Sequence, residues 1–189
     1  KVVHEVPKCL APINGIPFLF YKIKYLESIG ISEVFLSIGH LGHKIKKFIK
    51  SLDTTINIII VDEGKNLLGT GGAAKKSYKL INGPAFLTYG DTFLDVSYAD
   101  VYKKYQATKN PLMTIFKNNK KYDTSNVLLK ANKISYKKKN PHPNCQYIDY
   151  GLSIFSTRDF LNTEDIFDLS VLQESFSLEG KLEYFEVKN

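Results

Sequence analysis

Apolar residues recur along the first ninety positions in two alternating rhythms. Leu19, Ile23, Leu26 and Ile29 or Gly30 fall on one stripe of the 3.6-residue period, which predicts a helix from about Pro17, a residue suited to a first helical turn, to Gly30. Residues 34–38 predict a buried strand that stops at Gly39, and Ile45, Phe48, Ile49 and Leu52 mark the apolar face of a second helix. Residues 56–61 are almost continuously β-branched, the pattern of a strand covered on both faces. A helix over 73–80 and a strand over 85–89 continue the alternation, and that order predicts a mostly parallel α/β sheet.

Ser97 with Asp100 has the spacing of a capping box and opens a helix to about residue 107, followed by a strand over 111–116. From Asn126 the pattern changes. Residues 127–129, 134–136 and 147–155 read as short strands separated by Asn and Pro, a small antiparallel insertion. A helix over 169–176 and a last strand over 182–187 complete the expected elements. Residues 1–15, broken by Pro7, Pro12 and Gly15, read as a loop.

The length of 189 residues suits one well-buried domain. No apolar run approaches the roughly 18 residues of a membrane span, so the chain is expected to be soluble and to have no membrane partner. Cys9 and Cys145 show neither a disulfide framework nor metal spacing and point to a reducing, cytoplasmic setting. A net charge of +7, with eight lysines between Lys117 and Lys139, suits an anionic partner. Those lysines carry no RNA- or DNA-binding motif, so phosphorylated small molecules are expected rather than nucleic acid.

Two features carry candidate chemistry. At Gly69, Thr70, Gly71 and Gly72 the missing side chains would let a ligand approach the backbone, and Thr70 is placed to cap a helix beginning near Ala73. About twenty residues on, the run 84–89 ends in Gly90 and Asp91, which puts a carboxylate at the carboxyl end of a strand, where open α/β sheets hold ligands. Each has a plainer alternative: glycine clusters mark ordinary turns, Asp91 could cap the turn before Thr92, and Lys8 after Pro7 could be a solvated loop lysine. Asp149 interrupts an otherwise apolar strand and needs a partner if buried, either a ligand hydroxyl or an internal hydrogen bond.

Taken in order, VPKCLAPINGIPFL, LLGTGGA, FLTYGDT and YIDYGLSIF resemble the sugar-1-phosphate nucleotidyltransferase (NDP-sugar pyrophosphorylase) family over nearly the whole chain, and most closely its heptose-1-phosphate guanylyltransferase branch. The resemblance implies a Rossmann-like three-layer α/β/α nucleotidyltransferase fold. It also implies an enzyme that joins a sugar 1-phosphate to a nucleoside triphosphate with magnesium (Mg2+) and releases pyrophosphate, for cell-surface polysaccharide synthesis; homo-oligomers are compatible with it. Lys8 then matches the phosphate-contacting lysine of the Pro-Lys motif, Gly69, Thr70, Gly71, Gly72 and Gly90 the nucleotide-binding segments, and Asp91 the magnesium ligand. Lys138, Asp149 and Gly151 match the sugar-phosphate side, although many relatives have Asn-x-Gly where this chain has Asp149, and often an acidic residue where it has Lys137.

In such a reaction the nucleophile is a phosphate oxygen already ionised near neutral pH, because a phosphate monoester's second pKa is about 6. The site must align an in-line displacement and neutralise charge, which is work for lysine, magnesium and backbone amides. By this resemblance the chain is one nucleotidyltransferase domain that starts where the family's Gly-Gly-x-Gly-Thr-Arg loop would end and stops before an acidic residue expected after Asn189. The competing expectation is a non-catalytic homologue that binds nucleotide. A β-branched residue at Gly71 is expected to weaken nucleotide binding more than the fold.

Overall fold

The structure, a computed structural model, describes residues 5–131 and 133–188. Its contacts group into two units: Lys1–Leu68 with Gly90–Phe93, and Gly69–Tyr89 with Leu94–Asn189.

In the first unit Lys8–Leu10 form a 3-10 turn, and β1 (Pro12–Ile13) pairs antiparallel with β2 (Ile16–Pro17) around Asn14 and Gly15, both at positive φ. Asn-Gly between two apolar residues is the strongest short hairpin signal, so the described part of the expected loop is ordered by its turn chemistry; residues 1–4 of that loop lie outside the described residues. Helix α1 (Phe18–Ser28) buries Leu19, Lys22, Ile23 and Leu26 and is followed by Gly30 in the left-handed conformation that favours glycine past a helix end. Strands β3 (Glu33–Ile38) and β4 (Asn57–Asp62) pair in parallel across helix α2 (Gly42–Lys50). Glu27 links α1 to the turn before β4: its carboxylate accepts from the hydroxyls of Thr54 and Thr55 at 3.0 and 2.7 Å and from the Thr55 amide at 2.5 Å.

The second unit begins with helix α3 (Gly69–Tyr78), then β5 (Pro84–Thr88), α4 (Tyr98–Thr108), β6 (Leu112–Lys117), β7 (Val127–Lys130), β8 (Lys133–Tyr136), β9 (Tyr147–Ser156), α5 (Leu169–Leu178) and β10 (Glu183–Val187). Ser97 accepts from the Asp100 amide at 3.2 Å and starts α4 where the capping pattern predicts. The sheet runs β10-β6-β9-β7-β8, with β5 also on β9. Among the described residues of this sheet only β10 with β6 is parallel; β9 is antiparallel to β5, β6 and β7. The antiparallel component is therefore larger than the periodicity indicates, because the ten-residue β9 serves three partners.

One irregularity positions the site. From Met113 to Ile115 strand β6 advances two residues, while its partners on β9 go from Ser153 to Asp149, so Tyr150, Gly151 and Leu152 lie opposite Thr114 alone. The buried Thr114 hydroxyl fills this bulge, donating to the Leu152 carbonyl at 2.8 Å and accepting from its amide at 3.3 Å. Gly151, at φ 96°, makes the turn that such a bulge demands.

Candidate active site

Of the expected site residues, Lys8, Gly90 and Asp91 belong to the first unit. Lys8 is exposed in the 3-10 turn, and its neighbour Cys9 has its Cβ 3.8 Å from where a side chain on Gly90 would start. Burial and the negative charge of Asp91 both push the Cys9 thiol's pKa up. The Asp91 carboxylate is exposed, with the Thr92 hydroxyl at 3.4 Å. Lys22, from the buried stripe of α1, donates its ammonium to the Thr92 carbonyl at 2.7 Å. Burial lowers the Lys22 pKa to about 8 against the opposing pull of Asp91.

Among the described residues no three His, Cys, Asp or Glu side chains group to hold a metal. A cation at Asp91 would therefore take most of its ligands from phosphate oxygens and water, which is how magnesium binds beside nucleotides. An exposed hard carboxylate oxygen next to a lysine-bearing turn fits that donor set.

The glycine run and the sugar-side residues belong to the second unit. The helix starts at Gly69, not near Ala73, and Thr70 does not cap it. The Thr70 hydroxyl accepts instead from the Leu169 amide at 2.9 Å, and the Gly71 and Gly72 amides donate to the Phe167 carbonyl at 2.9 and 3.3 Å. A chain segment nearly a hundred residues away thus supplies the partners of the first turn. Gly71 is buried against the Phe167 ring, whose nearest atom lies 2.2 Å from where a Cβ would stand. The absence of a side chain there is a packing requirement, so a β-branched residue at Gly71 would disturb the fold directly, whatever it does to nucleotide binding.

Asp149 lies at the bulge of β9. Its amide donates to the Asn126 side-chain oxygen at 3.0 Å, and its carboxylate accepts from the Gly151 amide at 2.9 Å and the Gln173 amide group at 3.4 Å. Burial pushes its pKa up to about 6 against the opposing effects of Gly151, Gln173 and the Lys138 charge. Lys138 reaches both oxygens of Asp168 at 3.1 and 3.0 Å, and Asp168 also caps α5 through the Ser170 amide at 2.9 Å. Lys138, Asp149 and Gly151 are therefore brought together, and the start of α5 joins them to the glycine run through Phe167 and Asp168. Sequence reasoning missed Lys22 and Gln173, buried to 5 % and 3 % exposure. Their signal was available: each is a polar residue inside an apolar helical stripe, between Leu19 and Leu26 in one helix and between Leu169 and Phe176 in the other.

A parallel strand pair crossed by a helix and a mixed sheet packed with helices make an α/β fold of the nucleotidyltransferase kind. The chain superposes on HddC from Yersinia pseudotuberculosis with a TM-score of 0.76 at 23 % identity, covering 98 % of this chain and 83 % of that one. No family model matches the sequence. It is 33 % identical over 184 residues to a D-glycero-alpha-D-manno-heptose 1-phosphate guanylyltransferase of Campylobacter jejuni, covering 97 % of this chain and 78 % of the relative. A protein of the same name from Aneurinibacillus thermoaerophilus is 30 % identical, covering 95 % and 75 %. The chain belongs to this heptose-1-phosphate guanylyltransferase family of sugar-1-phosphate nucleotidyltransferases, and it is a nucleotidyltransferase. Sugar-phosphate nucleotidyltransferases generally use a divalent metal. Among the described residues no helix is long and apolar enough to cross a membrane.

Proposed function

We propose that this enzyme transfers GMP from GTP to a heptose 1-phosphate and releases pyrophosphate, in the cytoplasm and with magnesium, to make an activated sugar for cell-surface polysaccharide. The observation that carries the choice of base and sugar is the likeness, over nearly the whole chain, to two relatives named for that reaction. HddC, which shares the fold, has been solved in complex with GMP-PN.

An oxygen of the sugar phosphate attacks the α-phosphorus of the nucleotide, and the bond to pyrophosphate breaks. Lys8, exposed on the turn beside Gly90, is the group placed to meet phosphate charge in the first unit. Magnesium, held by Asp91 and phosphate oxygens, supplies screening of the crowded negative charge when bound. On the second unit Lys138 already holds a carboxylate with two contacts, the geometry with which it would hold the sugar phosphate. Asp149 and Gly151 present a polar edge at the β9 bulge to sugar hydroxyls, and in the first unit Gly90 leaves the turn before Asp91 without a side chain where phosphate would approach Lys8. Profiling the protein against four nucleoside triphosphates and a panel of sugar 1-phosphates, with pyrophosphate as readout, tests this. GTP with a heptose 1-phosphate should give the highest kcat/KM; a clear preference for another pair would overturn the assignment.

A further inference from the structure

We propose that Lys22 is a positioning residue for the metal-binding turn, holding Asp91 in place through the backbone carbonyl of Thr92. This rests on the reading of Asp91 as the magnesium carboxylate. Residues 89–97 form neither helix nor strand, so the turn carrying Asp91 has no ladder of backbone hydrogen bonds to fix it. Two side chains of α1, one helical turn apart, hold it instead: Lys22 donates to the Thr92 carbonyl at 2.7 Å, and the Tyr25 ring packs on Phe93 with centroids 4.8 Å apart.

The Lys22 position is costly for an ammonium. At 5 % exposure, between Leu19 and Ile23, an apolar residue of equal length would pack without desolvating a charge. What the ammonium adds is a charged donor aimed at the residue after Asp91, in a turn whose carboxylate itself stays open. A carboxylate that contributes one ligand to a cation of strict octahedral geometry depends on its placement, and freeing the following carbonyl would let it wander.

The two roles open to Lys22, stabilising the fold and placing Asp91, are separable. In the full chain, Mn2+ affinity in the presence of a non-hydrolysable GTP analogue is measured by electron paramagnetic resonance, beside thermal melting, for wild type, Lys22→Met, Lys22→Arg and Asp91→Asn. The expected result is Mn2+ affinity about tenfold weaker in Lys22→Met with an unchanged or raised melting temperature, and affinity largely restored in Lys22→Arg, which keeps a charged donor. Wild-type Mn2+ affinity in Lys22→Met would overturn the proposal, as would weakened affinity that only tracks a fall in melting temperature in both Lys22 variants. If Asp91→Asn also binds Mn2+ normally, the reading of Asp91 itself fails; if Asp91→Asn loses affinity while Lys22→Met keeps it, only the role of Lys22 does.

Discussion

Asp91 in the first unit and Asp149 in the second each lie within two residues of a glycine beside a strand, yet their surroundings differ. Asp91 sits on an irregular turn held from outside by Lys22 and Tyr25, and its carboxylate is exposed. Asp149 sits inside a ten-residue strand, at a bulge filled by Thr114, and its carboxylate is half-buried with Gly151 and Gln173 as donors. An open carboxylate leaves its oxygens accessible to a cation. A half-buried one is shifted toward the proton-bound form and can serve as a hydrogen-bonding group. The residue type is the same, and the support around it decides the chemistry.

The most severe way to break this comparison is Asp91→Asn. Loss of the charged ligand should lower turnover by roughly a thousandfold, since metal screening of phosphate charge is worth several kcal/mol, while thermal melting stays near wild type. Steady-state kinetics at saturating magnesium check this, and near-normal turnover would reduce Asp91 to a turn residue. Next in size is Gly71→Val. The valine would drive into the Phe167 ring and should cost about 3 kcal/mol of stability in urea melts, by overpacking a filled site. Phe167→Ala in the same chain should recover part of that loss, because neighbours in contact are not additive. A melt unchanged from wild type would show that the segment around Phe167 yields easily.

How far the sequence foretold these surroundings depended on range. From α1 to β5 the helix and strand order was legible within a few residues, because 3.6-residue stripes and β-branched runs are local signals, whereas the β1–β2 hairpin before α1 reads as loop. The start of α3 was not, since Gly69 to Gly72 find their partners at Phe167 and Leu169, and no local pattern reports a partner a hundred residues away. The central place of β9 was likewise hidden, because strand pairing is settled by tertiary packing. Asp149 was legible as an odd residue in an apolar strand, but its choice between ligand and internal partner was not. Lys22 and Gln173 are legible as polar interruptions of apolar stripes, a local signal that no motif includes.

Asp149→Asn sharpens the contrast at the half-buried carboxylate. Its folded pKa of about 6 stands above the 3.8 of a free carboxyl, so the folded chain binds the extra proton between those values. Stability from this group is fully present below about 4 and is lost as pH rises through about 6. A two-unit shift sets a ceiling of about 3 kcal/mol, and losing charged hydrogen bonds from Gly151 and Gln173 brings the expected gain for Asp149→Asn at pH 8 to about 1–2 kcal/mol. Urea melts at pH 5 and pH 8 measure it; an equal effect at both would mean that Asp149 is not held against ionisation.

The smallest expected effect carries the comparison to a third carboxylate, Glu27. It is well supplied with donors: Lys24 at 2.8 Å, the Thr55 amide and hydroxyl, and the Thr54 hydroxyl, in that order of influence, lower its pKa to about 2 despite slight desolvation. The sign is therefore opposite to that of Asp149. A group with a depressed folded pKa contributes stability above its unfolded value of 4.5, and that contribution is lost as pH falls from 4.5 toward 2. Because Glu27 and its partner Lys24 are both partly exposed, the change is modest and weakens with salt. Glu27→Gln should lower the melting temperature slightly at pH 7 and converge with wild type as pH falls below 4. Parallel curves for the two proteins from pH 7 to pH 3 would show that Glu27 joins α1 to the turn before β4 by geometry alone, without its charge.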